Sequence, residues 1–288
     1  MTGWVEETLH SHWRARMEVE HLVFEGRTNL QSVVIFDNVN FGRMLLIDGV
    51  VQLSTRDEFV YHEMLAHVPL IAIDHPRRIL VIGGGDGGIV REILKHPTIE
   101  HVDLCEIDSD IIKLCKLHLP EISSGSLEDD RVNIIIQDAI EYVAECENIY
   151  DAIICDTTEP VGPAKILFGE EFIKNCKRLL SDKGVFVTQN GLPFMHPSHL
   201  ADTSKITQKV FTDTACYLCS QPTYFGGPFA LIWAANCESI RHINSMEINK
   251  RLENRKINTK YYNAEIHFGA FMLPTYIKEL FENGNNIV

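Results

Sequence analysis

Residues 79–94 read ILVIGGGDGGIVREIL: an apolar run, a glycine-rich loop that contains Asp86, and a stretch with helical spacing. Strand, glycine loop and helix form the first unit of a nucleotide-binding α/β domain. The glycines let the backbone turn tightly and let a ligand approach it closely. Asp86, however, occupies the place where a pyrophosphate would need hydrogen-bond donors and no negative charge. The stretch therefore predicts a nucleotide-type site for a ligand that carries positive charge.

Composition is ordinary for a soluble globular protein, but the charge balance is not neutral. The chain has 288 residues, of which 45% are hydrophobic and 23% charged, enough for one large or two smaller domains. Its formal net charge is −14, from 40 acids and 26 bases. This balance argues against nucleic acid and anionic membranes as partners and is compatible with small cationic ligands.

The cellular location is predicted to be the cytoplasm. No apolar run reaches 18 residues, so no membrane-spanning helix is expected. The first residues lack a basic region followed by an apolar one, so no signal peptide is expected. Eight cysteines are dispersed, and Cys105, Cys155 and Cys237 lie within apolar, strand-like runs, as reduced core residues do.

Residues 1–75 are predicted to form a small N-terminal antiparallel β-sheet domain with a connecting helix. Alternating apolar residues and Asp-Asn or Asp-Gly turns indicate strands at Ser32–Phe36, Arg43–Ile47 and Val50–Leu53. A helix is expected over Asp57–Leu70, with one apolar face. The segment Asp74-His75-Pro76 breaks the pattern and marks the boundary.

Residues 76–288 are predicted to form a doubly wound α/β domain with a parallel sheet. Apolar strands alternate with helical stretches in the first half of this region. The four strands are Ile79–Ile82, Val102–Cys105, Val132–Ile136 and Ala152–Cys155. Helices are expected at Ile89–Lys95, Ile111–His118, Ala139–Glu145, Glu171–Leu180 and Leu200–Val210, and further strands at Gly184–Thr188, Thr214–Ser220 and Ala230–Ala235.

Each of the four parallel strands is followed by an acid: Asp86, Glu106, Asp138 and Asp156 in turn. Ligands of open α/β sheets bind at the carboxyl ends of the strands, so these carboxylates should share a pocket. Glu106 lies 23 positions after Gly83, near the spacing at which an acid binds ribose hydroxyls. Asp138 is placed to accept from an adenine amino group. The alternative for any single acid is a helix N-cap.

A second acid, Glu159, follows Asp156 by three residues in a loop that Pro160, Gly162 and Pro163 make rigid. Two carboxylates there could hold a polyamine, one near the attacking nitrogen and one near the distal ammonium. Tyr61 and Tyr224 are candidate hydroxyl partners; the alternative is that both are core residues.

No metal site is predicted. His62-Glu63 followed by His67 resembles a zinc-protease motif, but the histidines are five residues apart rather than four, so they do not share a helix face.

These motifs together resemble those of the spermidine synthases, a family of aminopropyltransferases, over nearly the whole chain. The matching segments are Gly3-Trp4, Leu45–Val51, Arg56-Asp57-Glu58-Phe59 with Tyr61 and Glu63, Gly83–Gly88 with Arg91-Glu92, Glu106-Ile107-Asp108, Asp156–Pro163 with Leu167-Phe168, Pro222-Thr223-Tyr224, and Tyr261-Tyr262-Asn263 with His267. The resemblance implies a small N-terminal β domain followed by a methyltransferase-like, Rossmann-like domain. It also implies a homodimer or homotetramer formed through the N-terminal part.

The resemblance further implies transfer of the aminopropyl group of decarboxylated S-adenosylmethionine, a co-substrate, to putrescine, with no cofactor. The implied donor-binding residues are Gln31, Gln52, His62, Asp86, Glu106 and Asp138. The implied catalytic residues are Asp156, as base, and Tyr61; the implied acceptor-binding residues are Trp4, Glu159 and Tyr224.

The chain departs from the family pattern at three places. Glu159 stands where Asp is usual, Ala139 follows Asp138 where glycine is usual, and Thr188-Gln189-Asn190-Gly191 replaces an acidic version found in many members. The last change could alter the preferred length of the acceptor.

Two other functions stay open from the sequence. One is an S-adenosylmethionine-dependent methyltransferase of the same fold, although the methionine carboxylate would then meet Asp86. The other is a polyamine- or nucleoside-binding regulator without catalysis.

Overall fold

The computed structural model describes residues 3–157 and 167–284. Its N-terminal part contains two antiparallel sheets. Strands β1 (Gly3–Glu6) and β2 (Arg16–Val19) form a pair, and β3 (His21–Arg27), β4 (Ser32–Asn38), β5 (Gly42–Ile47) and β6 (Val50–Ser54) form a four-stranded sheet in that order.

The predicted strands correspond to β4, β5 and β6, whereas β1 to β3 were not predicted. Those three strands are largely exposed, so they lack the alternation of buried and exposed residues that reveals a strand in a sequence.

Helix α1 (Glu58–Ala72) connects the N-terminal sheet to the α/β domain and is buried on almost all sides. Every residue except Phe59 is buried, including five titratable ones: Glu58, Tyr61, His62, Glu63 and His67. The apolar face expected from the sequence is buried in the core, and the other faces are buried too, because the polar side chains find buried partners in place of water. Since α1 packs within the core of the α/β domain, the domain boundary after residue 75 stays a prediction.

The second sheet has seven strands in the order β12-β13-β11-β10-β7-β8-β9. Their bounds are β7 Arg78–Gly83, β8 His101–Glu106, β9 Val132–Ile136, β10 Tyr150–Asp156, β11 Leu180–Gln189, β12 Asp213–Cys219 and β13 Phe229–Ala235. The predicted parallel, doubly wound arrangement is confirmed for β7 to β11. Strand β13 runs antiparallel to both its neighbours, so the sheet is mostly parallel. The strand order reverses between β7 and β10, which is where doubly wound sheets bind ligands.

Helices cover both faces of this sheet. Between the strands lie α2 (Gly88–Leu94), α3 (Ser109–His118), α4 (Pro120–Ser123), a short 3-10 helix (Ser126–Glu128), α5 (Ala139–Glu145), α6 (Glu170–Arg178) and α7 (Pro197–Val210). After the sheet come α8 (Glu238–Arg241), α9 (Ser245–Arg255), α10 (Ala264–Ala270) and α11 (Thr275–Asn283).

These four C-terminal helices were not predicted. Two of them begin at asparagine caps, where Asn244 accepts from the Glu247 N–H and Asn263 from the Ile266 N–H. Those caps were the available signal in the sequence.

Alternate residues of each central strand pack into different clusters. Ile79 and Val81 pack with α1 and α2, while Leu80 and Ile82 pack with Phe172 of α6. The four-stranded sheet packs on α3 and α4, and this contact places it beside the carboxyl ends of β7 to β10. Among the described residues, no helix is long and apolar enough to cross a membrane.

Candidate active site

A cavity of about 520 Å³ lies between the N-terminal sheet and the carboxyl ends of the central parallel strands. Six carboxylates are among the described residues that line it, and none of those lining residues is lysine or arginine. The acids are Glu7, Asp48, Asp86, Glu106, Asp138 and Asp156. The cavity is therefore suited to a positively charged ligand.

The glycine loop begins where β7 and β10 come closest. Gly83 has φ +78°, and a Cβ there would lie 2.0 Å from the Asp156 carbonyl oxygen. Only glycine fits this contact, which brings the loop and the end of β10 to one place. The close approach puts Asp86 and Asp156 into the same pocket.

Three of the four strand-end acids also bond to backbone N–H groups near a helix start or turn. Asp86 accepts from the Gly88 N–H at 2.6 Å, and Asp138 caps α5 by accepting from the Ile140 N–H at 2.8 Å. Glu106 accepts from the Asp108 N–H at 2.9 Å. Of the three, only Asp138 is itself a helix N-cap, and for it the capping alternative and the pocket hypothesis hold together, because all three carboxylates line the cavity.

Glu106 is buried, with 9% of its surface exposed. Burial raises the pKa of this carboxyl to about 7, against the hydrogen bond from Asp108 N–H, and the charges of Asp108 and Asp156 act in the same direction as burial. Near neutral pH the Glu106 carboxyl can therefore be protonated, and donate a hydrogen bond, or ionised, and only accept hydrogen bonds.

Asp156 and Tyr61 form a hydrogen-bonded pair at the end of β10. The Tyr61 hydroxyl donates to Asp156 Oδ1 at 2.6 Å. Burial and the neighbouring charge of Asp86 raise the pKa of Asp156 to about 6, although the Tyr61 hydrogen bond and His62 oppose the rise. Burial and the Asp156 charge raise the pKa of Tyr61 well above its usual value, so its hydroxyl stays a neutral donor.

Tyr224 lies beside this pair. Its hydroxyl donates to the Gln52 carbonyl at 2.5 Å, and its ring meets the Tyr61 ring edge-on, with centroids 6.0 Å apart. Both rings line the cavity, so the core alternative and the site hypothesis are again compatible.

Gln31 and Gln52 enter the cavity from the N-terminal sheet. The Gln31 amide donates to Asp108 Oδ2 at 3.2 Å, which joins the β3–β4 turn to the start of α3. The Gln52 amide donates to the Val50 carbonyl at 3.1 Å.

His62 lies beneath the glycine loop. Its Nδ1 contacts Glu58 Oε2 at 2.6 Å, and its Nε2 is 3.5 Å from Asp86 Oδ1. Burial disfavours the charged ring, but Asp86, Glu58 and Asp156 outweigh it and raise the pKa of His62 to about 9.

His62, Asp86 and Asp156 offer atoms within 4.8 Å of one another, a spacing at which a cation can be held. The raised pKa of His62 favours its charged ring, which donates hydrogen bonds and does not ligate a metal ion.

Trp4, which was proposed for the acceptor site, is not among the described residues that line this cavity. Trp4 is 55% exposed on β1, with the Arg16 guanidinium 5.4 Å from its ring centroid. Glu159 lies outside the described residues. Both assignments stay predictions of the sequence.

Several residues that line the cavity were not assigned to the site from the sequence, and Gln189 was named only as part of a departure from the family pattern. Gln189 ends β11. Its side-chain NH₂ group donates to the Thr157 carbonyl at 2.9 Å, and its side-chain oxygen accepts from the Gly191 N–H at 3.0 Å. The strand-end rule that identified the four acids applies to it as well. Glu7, which accepts from the Val51 N–H at 3.1 Å, had no such signal, because its place depends on how the β1–β2 pair folds over the sheet.

Comparisons with known proteins agree along the whole chain. A spermine/spermidine synthase domain matches residues 58–245, and a spermidine synthase tetramerisation domain matches residues 3–55. Polyamine aminopropyltransferase 1 of Pseudomonas aeruginosa is 41% identical over 98% of both chains, and the polyamine aminopropyltransferase of Pseudomonas syringae pv. tomato is 42% identical over the same shares. A spermidine synthase solved in complex with the transition-state analogue AdoDATO superposes with a TM-score of 0.92 at 33% identity, covering 97% of this chain and 94% of its own.

Proposed function

Because this chain belongs to the spermine/spermidine synthase family and is an aminopropyltransferase, we propose that it moves the aminopropyl group of decarboxylated S-adenosylmethionine to putrescine. The products are spermidine and methylthioadenosine. The observation that carries the choice of substrates is the acidic cavity, which is lined by six carboxylates and by no lysine or arginine among its described residues. Donor and acceptor are both cations.

The donor occupies the side of the cavity formed by the glycine loop. Glu106 binds the ribose hydroxyls and Asp138 the adenine amino group, as their order on consecutive strands suggests. Asp86 holds the ammonium of the aminopropyl end, with His62, Gln31 and Gln52 completing the wall. A relative solved with AdoDATO supports a site of this kind, since that ligand is named as a transition-state analogue.

The chemistry is a single displacement. The nitrogen of putrescine forms a bond to the carbon next to the sulfonium, the carbon–sulfur bond breaks, and its electron pair stays on sulfur as methylthioadenosine leaves. One proton of the attacking amine passes to Asp156, which Tyr61 orients through its 2.6 Å hydrogen bond. The protein contributes alignment and a neutral amine; an ordinary alkyl ammonium has a pKa of about 10.4, so the raised pKa of Asp156 improves the match.

The acceptor lies next to Asp156 and Tyr224. The family resemblance assigns Glu159, three residues after Asp156, to the distal ammonium, and it assigns Trp4 to the same site although Trp4 is not among the described residues that line the cavity. Six free, buried cysteines are consistent with a cytoplasmic location, whereas Cys237, which was expected in the core, is only partly buried.

The methyltransferase alternative requires a donor that adds a carboxylate beside the ammonium. At about 4 Å and an effective dielectric near 20, one charge contact with Asp86 is on the order of 4 kcal/mol before desolvation. Repulsion of that carboxylate thus separates the two donors. The named relatives also favour aminopropyl transfer over methyl transfer and over a silent binding protein.

Mass analysis of products tests the proposal. The enzyme is incubated with decarboxylated S-adenosylmethionine and an equimolar mixture of putrescine, cadaverine, agmatine and spermidine. Spermidine and methylthioadenosine are expected as the main products, and ordinary S-adenosylmethionine should give none. In the variant Asp86→Asn, the affinities for decarboxylated and for ordinary S-adenosylmethionine, both measured by calorimetry, should differ less than in the parent. Methylated products, or a different amine as the main acceptor, would contradict the proposal.

A further inference from the structure

Two adjacent carboxylates, Asp57 and Glu58, are buried at the turn from β6 into α1, with 5% and 6% of their surfaces exposed. Neither is among the described residues that line the cavity. A buried carboxylate needs charged or hydrogen-bonding partners to offset its desolvation, so the partners of this pair reveal what each one holds.

Asp57 occupies the N-cap position of α1, and Asp is a residue type that normally caps a helix. Its side chain makes no capping hydrogen bond. Instead, Oδ2 accepts from both the backbone N–H and the hydroxyl of Thr223, while Oδ1 accepts from the Ser54 hydroxyl at 2.6 Å. Thr223 is fully buried and directly precedes Tyr224.

The segment around Thr223, which Asp57 binds, therefore carries Tyr224, the tyrosine of the proposed acceptor site. The Tyr224 N–H donates to the Gln221 carbonyl, and its hydroxyl reaches the Gln52 carbonyl, so the ring direction depends on this turn. Asp57 and Thr223 are 166 positions apart, and the bond joins the N-terminal sheet to the loop after β12.

Glu58 points to the other side. Its Oε2 accepts from His62 Nδ1 at 2.6 Å and from Arg91 Nη2 at 2.8 Å, which connects α1 to α2. The His62 ring fills the space under Gly88, where a Cβ would lie only 2.2 Å from His62 Cε1. A fixed His62 ring thus supports the loop that carries Asp86.

The charge on Glu58 persists in spite of burial. Burial alone would raise its pKa, but hydrogen bonds and charges from His62 and Arg91 lower the pKa to about 2. Hydrogen bonds to an ionised group are stronger than neutral ones, so this carboxylate restrains the His62 ring firmly.

We propose that Asp57 and Glu58 are positioning residues with separate targets: Asp57 sets the acceptor side through Thr223 and Tyr224, and Glu58 sets the donor side through His62 and the glycine loop. The inference rests on the proposed function for the identity of the two substrates. Neighbouring residues at a helix start point in directions roughly 100° apart, which allows one turn to serve both sides.

The test compares Asp57→Asn with Glu58→Gln, two variants that each remove one buried negative charge from the same turn. Glu100→Gln is the control, because Glu100 lies beside the amino end of β8, at the opposite edge of the sheet, with its side chain 60% exposed. For each protein, the donor dissociation constant is measured by calorimetry, and kcat and the putrescine KM are measured at saturating donor.

Asp57→Asn should raise the putrescine KM about tenfold, because the loss of a hydrogen bond to a charged group weakens binding by roughly that factor. The donor dissociation constant should stay within about twofold of the parent value. Glu58→Gln should show the reverse pattern. The control should change neither constant. Should Asp57→Asn fail to fold, Thr223→Val removes the hydroxyl donor alone and should raise the putrescine KM in the same way.

Equal changes in both constants for both variants would mean a general role at the helix start, and unchanged constants would mean no role; either result overturns the inference. Failure of the proposed function looks different, since the parent enzyme itself would then not convert putrescine.

Discussion

Asp156 is the residue on which the proposed mechanism depends. An ordinary aspartate has a pKa of about 3.9 and accepts a proton poorly from an amine near neutral pH. Burial and Asp86 raise the pKa of Asp156 to about 6 in the folded chain. Asp86 and Asp156 together thus favour binding of the cationic substrates, and the charge of Asp86 also helps Asp156 to accept a proton.

Replacing the base should remove catalysis and retain binding. Asp156→Asn keeps the size of the side chain but cannot accept the proton, so turnover should fall a hundredfold or more, in line with general-base contributions of about 10² to 10⁴. The donor dissociation constant should change by less than about threefold. Single-turnover rates and calorimetry measure the two effects, and turnover within a factor of three of the parent would exclude the assignment.

The pH dependence follows from the same pKa. A base must be deprotonated to act, so kcat/KM should decline as pH falls through about 6. The decline is measured between pH 5 and pH 8 in buffers of constant ionic strength, after checking that the protein stays folded. A decline centred near pH 4 would show that Asp156 is not buried enough to act as this base.

Glu106 is predicted to reduce stability in return for nucleoside binding. Its folded pKa of about 7 lies above the ordinary 4.5, so its contribution favours the folded state at low pH and is lost as pH rises through about 7. Glu106→Gln carries no charge at any pH. The free energy of unfolding of Glu106→Gln minus that of the parent should therefore be larger at pH 8 than at pH 5. The expected increase is about 2 kcal/mol.

Urea unfolding at the two pH values measures this difference, with the exposed Glu100→Gln as control. The variant should also lose methylthioadenosine affinity in calorimetry. A stability difference that does not vary with pH would contradict the raised pKa.

Helix α1 depends on α9 at its carboxyl end. The last carbonyls of a helix have no partners within it. Arg251 donates to the carbonyls of Ile71 and Ala72, and Arg255 donates to those of Leu70, Ile73 and Asp74. Arg255 also contacts His96, which in turn bonds His67 of α1 at 3.0 Å. Two cations of α9, the buried Arg255 and the partly buried Arg251, thus satisfy the helix end that carries the partial negative charge.

Loss of one of these cations should destabilise the fold. Arg255→Met keeps much of the apolar volume but leaves three carbonyls without their donor, so the free energy of unfolding should fall by about 3 kcal/mol. Arg77→Met is the control, because Arg77 forms an exposed pair with Glu100, and it should cost at most about 1 kcal/mol. Chemical denaturation of both variants measures this, and equal losses would contradict a special role for Arg255.

The cavity exists only where the two parts of the molecule meet. Gln31 and Gln52 of the N-terminal sheet face the strand ends of the α/β domain. The two parts are held together by polar contacts such as Arg43 to the His118 carbonyl at 2.8 Å, as well as by the apolar contact with α3. The same N-terminal residues match a tetramerisation domain in the family.

The chain is therefore predicted to assemble into dimers or tetramers. Sedimentation velocity at low micromolar concentration should give a mass of two or four copies of the 32.8 kDa chain. The control is a repeat at high salt, since an interface held mainly by apolar contacts should persist there. A monomer at every concentration would contradict this expectation.

Local patterns were sufficient for the parallel strands of the central sheet and for the meeting of four acids at their carboxyl ends. The apolar runs, the glycine loop and the acid after each of four strands are signals within a few residues, and parallel strands must bring their carboxyl ends to one edge. Hence Asp86, Glu106, Asp138 and Asp156 could be predicted to share a pocket. The exposed strands β1 to β3 carried weaker signals, because few of their residues are buried. Helix α11 did carry a signal, since Ile277, Leu280 and Phe281 are buried at helical spacing.

What required the folded chain is every property that depends on contacts between distant segments. The bond from Thr223 to Asp57, the place of Glu7, and the arginines at the end of α1 join residues far apart in the sequence, so no local pattern contains them. The pKa values of Asp156 and His62 also belong to this class. The chain supplies the titrating groups, but burial and neighbouring charges, which only tertiary packing creates, determine the pH at which they act.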